Sequence, residues 1–235
     1  MTRSTWRLLD DLGRRSDADG QMAADVALLD EVAAGAPPAL RLYRWAPPAL
    51  SLGRFQPDAH VKTGVCARLG VEVTRRPTGG KALLHGADLT YAVALPRPAG
   101  RAGTVDGVYT RLAASLLAGL ARLGVAAAVA RHGAGPAAGP ACATAMQGAD
   151  LRVGERKLCG SAQARARGAV LQHGSILLDR LDFDESDLLV VDRATCDSVR
   201  GATITMRELG APHDPEVVGA AVVQGFAETL DVDFT

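Results

Sequence analysis

Apolar and polar positions repeat at two periods along this 235-residue chain. Between Gln21 and Ala34, Met22, Val26, Leu29 and Val32 recur every three or four residues, which is one stripe of an α-helix, and Gly35, Pro37 and Pro38 stop it. The stretches ALRLYRW (39–45) and ALSLG (49–53) read as two short strands parted by Ala46-Pro47-Pro48, and 58–69 as helical. VEVTRR (71–76) and DLTYAVAL (88–95) read as further strands. Residues 105–123 give the clearest helix, with Val105, Val108, Tyr109, Leu112, Leu116, Leu120 and Leu123 on one face, Thr104 as its cap and Gly124 past its end. RHGAGPAAGPA (131–141) breaks every pattern and reads as a loop. ADLRV (149–153), RKLCGSAQAR (156–165) and AVLQHGSILL (169–178) follow as three strands, the first two joined by a turn at Gly154-Glu155. A last helix opens at Asp214-Pro215 and runs through Val217, Val218, Val222 and Phe226. With no internal repeat and no linker, the pattern predicts one α+β domain over residues 1–235, a central mixed or largely antiparallel sheet flanked by helices.

Composition narrows what such a domain does. At 48% apolar it has ample material for a core. The 26 basic and 26 acidic residues cancel, so neither nucleic acid nor an anionic membrane is an expected partner. No apolar run approaches the length of a membrane span, and MTRSTWRLLDDLGRR lacks a signal-type apolar core, so a cytoplasmic protein is expected. Cysteines at 66, 142, 159 and 196 show neither a CxxC pair nor zinc spacing and are expected to be free thiols. The lysines are three, Lys62, Lys81 and Lys157; where arginine is the default cation, a lysine carries more information.

Four places could carry chemistry. In RRPTGGKALLHG (75–86), a glycine pair after a strand lets backbone approach a ligand, and Arg75 and Arg76 suit a carboxylate or phosphate. The GxxxxGKS/T spacing of a phosphate-cradling loop is absent, and the plainer alternative is a turn with solvated arginines. In ERKLCGSAQ (155–163), a regular strand would put Lys157, Cys159, Ser161 and Gln163 on one face and Leu158 and Ala162 on the other. That face reads as a site lining or as an exposed polar surface. In LQHGSILL (171–178), His173 is either a pocket residue or a hydrogen-bonded core histidine. Cys142 stands at a loop–strand junction upstream of Lys157, whose charge would lower a thiol pKa from about 8.5. On chemistry alone Cys142 and Cys159 are comparable nucleophiles, Cys66 looks structural, and Cys196 is ambiguous.

Taken in order, QMAADVALLDE, LRLYRWAPPALSLGRFQ, RRPTGGKALLHGADLTYAV, ERKLCGSAQ and LQHGSILL resemble the lipoate/biotin protein ligase and octanoyltransferase superfamily, from about residue 6 to residue 210. Gln21 and Val26 stand where that family has asparagine and glutamate. The resemblance implies a sheet that holds an acyl chain in a tunnel. Arg75, Arg76, Thr78, Gly79 and Gly80 would form one wall and Gly160, Ser161 and Ala162 the facing wall. His85 and His173 would sit at the pocket side, and Lys157 would contact the acyl carbonyl or its leaving group. One branch, the ligase-like octanoyl-acyl-carrier-protein:protein N-octanoyltransferases, has a nucleophilic cysteine shortly before the lysine strand, with an acidic residue between. Cys142-Ala143, Asp150 and Lys157 match that spacing, although Ala143 and Ala149 replace the branch's aromatics. By resemblance, then, Cys142 is the nucleophile and Cys159 lines the pocket. No cofactor is implied, the donor is octanoyl-acyl-carrier protein, and the acceptor is a lysine of a lipoyl domain or glycine-cleavage H protein. The alternatives are an ATP-dependent lipoate-protein ligase, an octanoyl amidotransferase between lipoyl-accepting proteins, and a non-enzymatic acyl-binding domain.

Overall fold

A computed structural model describes residues 3–130, 141, 150–192 and 199–235. In chain order these form β1 (Ser4–Asp11), α1 (Ala18–Ala33), β2 (Ala39–Tyr43), β3 (Ala49–Leu52), α2 (Thr63–Arg68), β4 (Glu72–Arg75), β5 (Leu83–His85), β6 (Asp88–Pro96) and α3 (Val105–Arg122). There follow β7 (Ala128–Val129), β8 (Leu151–Val153), β9 (Arg156–Ala166), β10 (Ala169–Leu177), α4 (Glu185–Leu188), α5 (Pro215–Leu230) and β11 (Val232–Phe234). Cys142 and Cys196 lie outside the described residues.

Among the described residues, eight strands form one sheet in the order β11-β1-β2-β6-β10-β9-β8-β7. Strand β1 runs parallel to β2 and β11, and the other pairings are antiparallel. A smaller sheet, β4-β3-β5, lies beside it. The architecture is the mixed α+β arrangement that the periodicity predicts.

Strands β6 and β10 are buried nearly end to end because both faces of the large sheet are covered. On one face Leu89, Tyr91 and Val93 pack with Leu112 and Leu116 of α3 and Val222 and Phe226 of α5. On the other, Tyr43, Trp45, Ala92 and Leu171 pack with Met22, Leu28 and Leu29 of α1. Helix caps follow the sequence: Thr104 accepts from the Gly107 N–H and Asp214 from the Glu216 and Val217 N–H groups. Helix α1 begins earlier than its apolar stripe suggests, at Ala18 with Asp17 as its cap. Val26 is 38% exposed, while Gln21 and Asp25 are buried in its place. The inward stripe of α1 is part polar because it answers a buried arginine, as described below. Val105 and Val217, in the first turns of α3 and α5, also point outward. No helix among the described residues is long and apolar enough to cross a membrane.

Candidate active site

A cavity of about 150 Å³ opens between the small sheet and the β9–β10 side of the large one. Arg76, Gly79, Gly80 and His85 border it from the first, and Lys157, Gly160, Ser161, Ala162 and His173 from the second. The two motif-bearing stretches, far apart in the chain, therefore face each other across one space.

Lys157 reaches this space through a break in strand regularity. Leu151 pairs with Cys159, but the next residue of β8, Arg152, pairs with Lys157. Leu158 is thus one residue too many on β9, a β-bulge, and a bulge re-aims the side chains around it. Leu158 and Cys159 both enter the core, while Lys157 turns to the cavity beside Gly160. The regular-strand expectation that Lys157 and Cys159 share a face is corrected accordingly. The Cys159 thiol is fully buried. Burial first, and then the Asp150 charge, push its pKa up to about 12. Ser161 keeps the parity of Cys159 and its hydroxyl meets the Tyr91 hydroxyl at 2.8 Å, yet it still borders the cavity.

The lysine is held by a carboxylate that is itself anchored. Its Nζ lies 2.9 Å from Asp150 Oδ2, and the second oxygen, Oδ1, accepts the Ser161 N–H at 3.2 Å. A methyl group at Gly160 would stand 2.8 Å from Lys157 Cε and 3.1 Å from Nζ. Glycine at 160 is therefore what lets the ammonium fold over the strand.

The glycine-pair loop is fixed from within. Arg76 is buried and donates to backbone carbonyls: to Ser51 O at 2.8 Å, Gly79 O at 2.9 Å and Lys81 O at 2.6 Å. It borders the cavity, but these donors tie the loop together rather than point at a ligand. A Cβ at Gly53 would lie 1.9 Å from Gly80 O, and Gly80 has φ +94, so the end of β3 and the glycine pair need each other's bareness. Arg75 faces the other way, donating to Gly53 O and Gln56 O at 2.8 and 2.7 Å and pairing with Asp58. Thr78 is fully buried behind the wall. Arg75 and Thr78 therefore do not border this cavity: the arginine is taken up by Gly53, Gln56 and Asp58, and the Thr78 hydroxyl meets His173 behind the wall.

Two buried Asp–His–hydroxyl chains support the cavity from behind. In the first, His85 Nδ1 lies 2.8 Å from Asp88 Oδ2 and its Nε2 lies 2.8 Å from Ser51 Oγ. In the second, His173 Nδ1 lies 2.9 Å from Asp25 Oδ2 and its Nε2 lies 2.6 Å from Thr78 Oγ1. A carboxylate only accepts, so each Nδ1–H donates to it; in the neutral ring Nε2 then accepts the hydroxyl proton. Asp25 also accepts from Arg41 Nη1 and the Tyr43 hydroxyl, both at 2.9 Å, which explains the polar stripe of α1. Asp88 also accepts from Thr90 Oγ1 at 3.0 Å, the Gly86 N–H at 2.8 Å and the Ser175 hydroxyl. Burial pushes the Asp88 carboxyl up, but the charge and hydrogen bond of His85, with the hydrogen bonds of Ser175 and Gly86, outweigh it and hold the pKa below its ordinary value. Trp45 stacks on the His85 ring with centroids 4.2 Å apart.

Sequence reasoning missed Ser51, Asp25 and Asp88. The available signal was an acid inside an otherwise apolar helix stripe or at the head of an apolar strand, since buried carboxylates require partners. Among the described residues, no three His, Cys, Asp or Glu side chains are grouped to hold a metal ion. The cavity combines apolar walls, carbonyl-rich backbone and the ammonium groups of Lys157 and Lys81 on its lining, a setting for an uncharged chain ending in a polarisable carbonyl.

The profile of the lipoyl protein ligase A/B catalytic domain matches residues 17–227. An octanoyltransferase LipM from Kyrpidia tusciae is 39% identical over 96% of this chain and 87% of its own. One from Carboxydothermus hydrogenoformans is 36% identical over 98% and 88%. Among solved structures, a lipoate-protein ligase A bound with ATP superposes with a TM-score of 0.80 at 24% identity, covering 100% of this chain and 88% of that one. A bipartite lipoate protein ligase from Thermoplasma acidophilum gives 0.75 at 23%, covering 100% and 86%. At these identities the structures speak for the fold.

Proposed function

The chain belongs to the lipoyl protein ligase A/B catalytic domain family, and from that premise we propose that residues 1–235 form one octanoyltransferase domain working through a cysteine acyl-enzyme. The donor is octanoyl-acyl-carrier protein. The acceptor is a lysine of a lipoyl domain or of glycine-cleavage H protein. The names of the relatives that match nearly the whole chain support the transferase reading over the ligase one.

In the first half-reaction the Cys142 thiolate attacks the thioester carbonyl. A carbon–sulfur bond to the enzyme forms, the bond to the carrier's sulfur breaks, and the carrier leaves as a thiolate that takes its proton from water. Charge collects on the carbonyl oxygen, and the Lys157 ammonium is the donor placed to meet it. In the second half, the neutral amine of the acceptor lysine attacks the acyl-enzyme. A carbon–nitrogen bond forms, the bond to Cys142 breaks, and the amine proton passes to solvent water as the Cys142 thiolate returns. Thioester to amide runs downhill, so ATP is not consumed. His85 and His173 have both ring nitrogens bonded inside the protein, which supports positioning roles for them. A thiol that must stay free requires a reducing compartment, the cytoplasm.

The observation that carries the reading is the buried Lys157–Asp150 pair at the end of the cavity. Ala141 supports the nucleophile: it precedes Cys142 in the chain, is fully buried, and pairs with Ala82, next to the wall residues Lys81 and Leu83. Intact-protein mass spectrometry after mixing with octanoyl-carrier protein, without ATP, tests it. An octanoyl adduct is expected on the wild type and on Cys159→Ala, and none on Cys142→Ala. An adduct that persists in Cys142→Ala overturns the assignment of the nucleophile.

A further inference from the structure

Lys157 separates two cavities. Beyond the one described above lies a second of about 80 Å³, walled by Leu177, Leu181, Phe183 and Val199 with Thr203 and Thr205. The two share Leu83, His85, Lys157, Gly160 and Ser175. A carbonyl held at Lys157 Nζ therefore has space on both sides, one for each of its substituents.

We propose that the second cavity seats the sulfur-side arm of the donor thioester, an uncharged, amide-bearing chain of the pantetheine type. This rests on the transferase reading. Geometry gives the first reason: with the acyl chain in the larger cavity, the leaving arm must run the opposite way, and among the cavities described it is this one that touches Lys157 from there. Charge gives the second. Asp179, Asp184 and Glu185 border the space along with Arg180 and Arg200. Arg180 is paired with Glu208 at 2.8 Å, Arg200 with Asp184 at 2.9 Å, and Asp179 with Arg207 at 2.7 Å. Among the described residues, the rim's two arginines are each matched by a carboxylate, which leaves Lys157 as the cation that faces this space. An apolar wall with locally cancelled charge suits a neutral arm. The bond that breaks is the carbon–sulfur bond to this arm, so the cavity holds the leaving thiol while Cys142 takes the acyl group.

The test compares acyl-adduct formation at Cys142 from S-octanoyl-pantetheine and from S-octanoyl-N-acetylcysteamine, which lacks the outer half of the arm. Wild-type protein should react about tenfold faster, in kcat/KM, with the full arm, because a truncated substrate forfeits remote binding energy. Leu181→Trp, a part-exposed wall position, should slow the full-arm thioester more than the truncated one and so narrow that preference, and ATP should not compete with either thioester. Equal rates for the two thioesters on wild type overturn the proposal without needing any variant to fold. Equal slowing of both by Leu181→Trp, or competition by ATP, does the same. If neither thioester yields an adduct, the transferase reading itself fails, and this assignment falls with it.

Discussion

Lys157 Nζ and Asp150 Oδ2 stand 2.9 Å apart with side chains only 5% and 3% exposed, across a bulge that brings them to the cavity's end. Burying two charges costs much of what their attraction returns, so a pair like this one is poor evidence of a stabilising device and better evidence of a functional one. Asp150→Ala, which removes the carboxylate facing a buried ammonium, should cost about 3–5 kcal/mol. The double variant Asp150→Leu/Lys157→Met should recover most of that stability without recovering acyl transfer. Urea unfolding of the single and double variants, with adduct formation measured on each, checks both halves. A double variant no more stable than Asp150→Ala would show that the pair holds the fold rather than serves the chemistry.

Gly160 has a direct geometric consequence for the same ammonium. An alanine methyl would sit 2.8 Å from Lys157 Cε, and the group that must yield is the far end of a side chain rather than backbone. The fold should tolerate Gly160→Ala, while the ammonium moves by the order of an ångström, a displacement that can cost about a hundredfold in rate. The expected outcome is a near-native melting curve together with acyl transfer slowed by at least tenfold, about 1.4 kcal/mol of barrier. Unchanged acyl transfer would remove Lys157 from the proposed oxyanion role.

How far the chain announced these arrangements depends on how local each one is. Helices α3 and α5 and strands β6 and β10 were legible because period, cap and length agree within one stretch, as with Thr104 ahead of Val108, Leu112 and Leu116. Strands β1 and β11 were not read, since Ser4 pairs with Val232 and only the folded chain makes strands of them. The site divides the same way. The family resemblance pointed to Gly79, Gly80, His85, Gly160 and His173, and these border the cavity. The turning of Lys157 away from Cys159 depends on the register of β8 against β9 and leaves no local trace. Ser51, Asp25 and Asp88 escaped notice because each is an ordinary residue until a distant histidine reaches it.

Acid should expose the role of Asp88. Its folded-state pKa lies below the ordinary 3.8, so its ionised form adds stability that is complete above the unfolded pKa. That stability is lost as pH falls through the lower, folded value. Asp88→Asn removes this dependence and leaves His85, Thr90 and Ser175 facing an amide. The variant should be less stable than wild type by about 1–3 kcal/mol at neutral pH. The gap should narrow as pH falls from 5 towards 2. Denaturant unfolding over that range decides it: a gap that stays constant means the carboxylate contributes through shape and not through charge.

Thiol reactivity separates the two cysteines that chemistry alone leaves level. With its pKa pushed up to about 12, Cys159 at pH 8 lies four units below its pKa, so about one molecule in 10⁴ carries the thiolate, and the sulfur is also walled in by the core. Burial raises the Cys66 thiol as well. Iodoacetamide at pH 8 should therefore leave Cys66 and Cys159 untouched in the native protein and modify both in denaturant, as read by peptide mapping. Cys142 should be alkylated natively, and prior exposure to an octanoyl thioester should protect it. Cys159→Ala should cost about 1 kcal/mol, the order expected for a small buried deletion, with acyl transfer retained. Native labelling of Cys159, or loss of transfer in Cys159→Ala without loss of fold, would move the nucleophile onto β9 and require the bulge to relax during turnover.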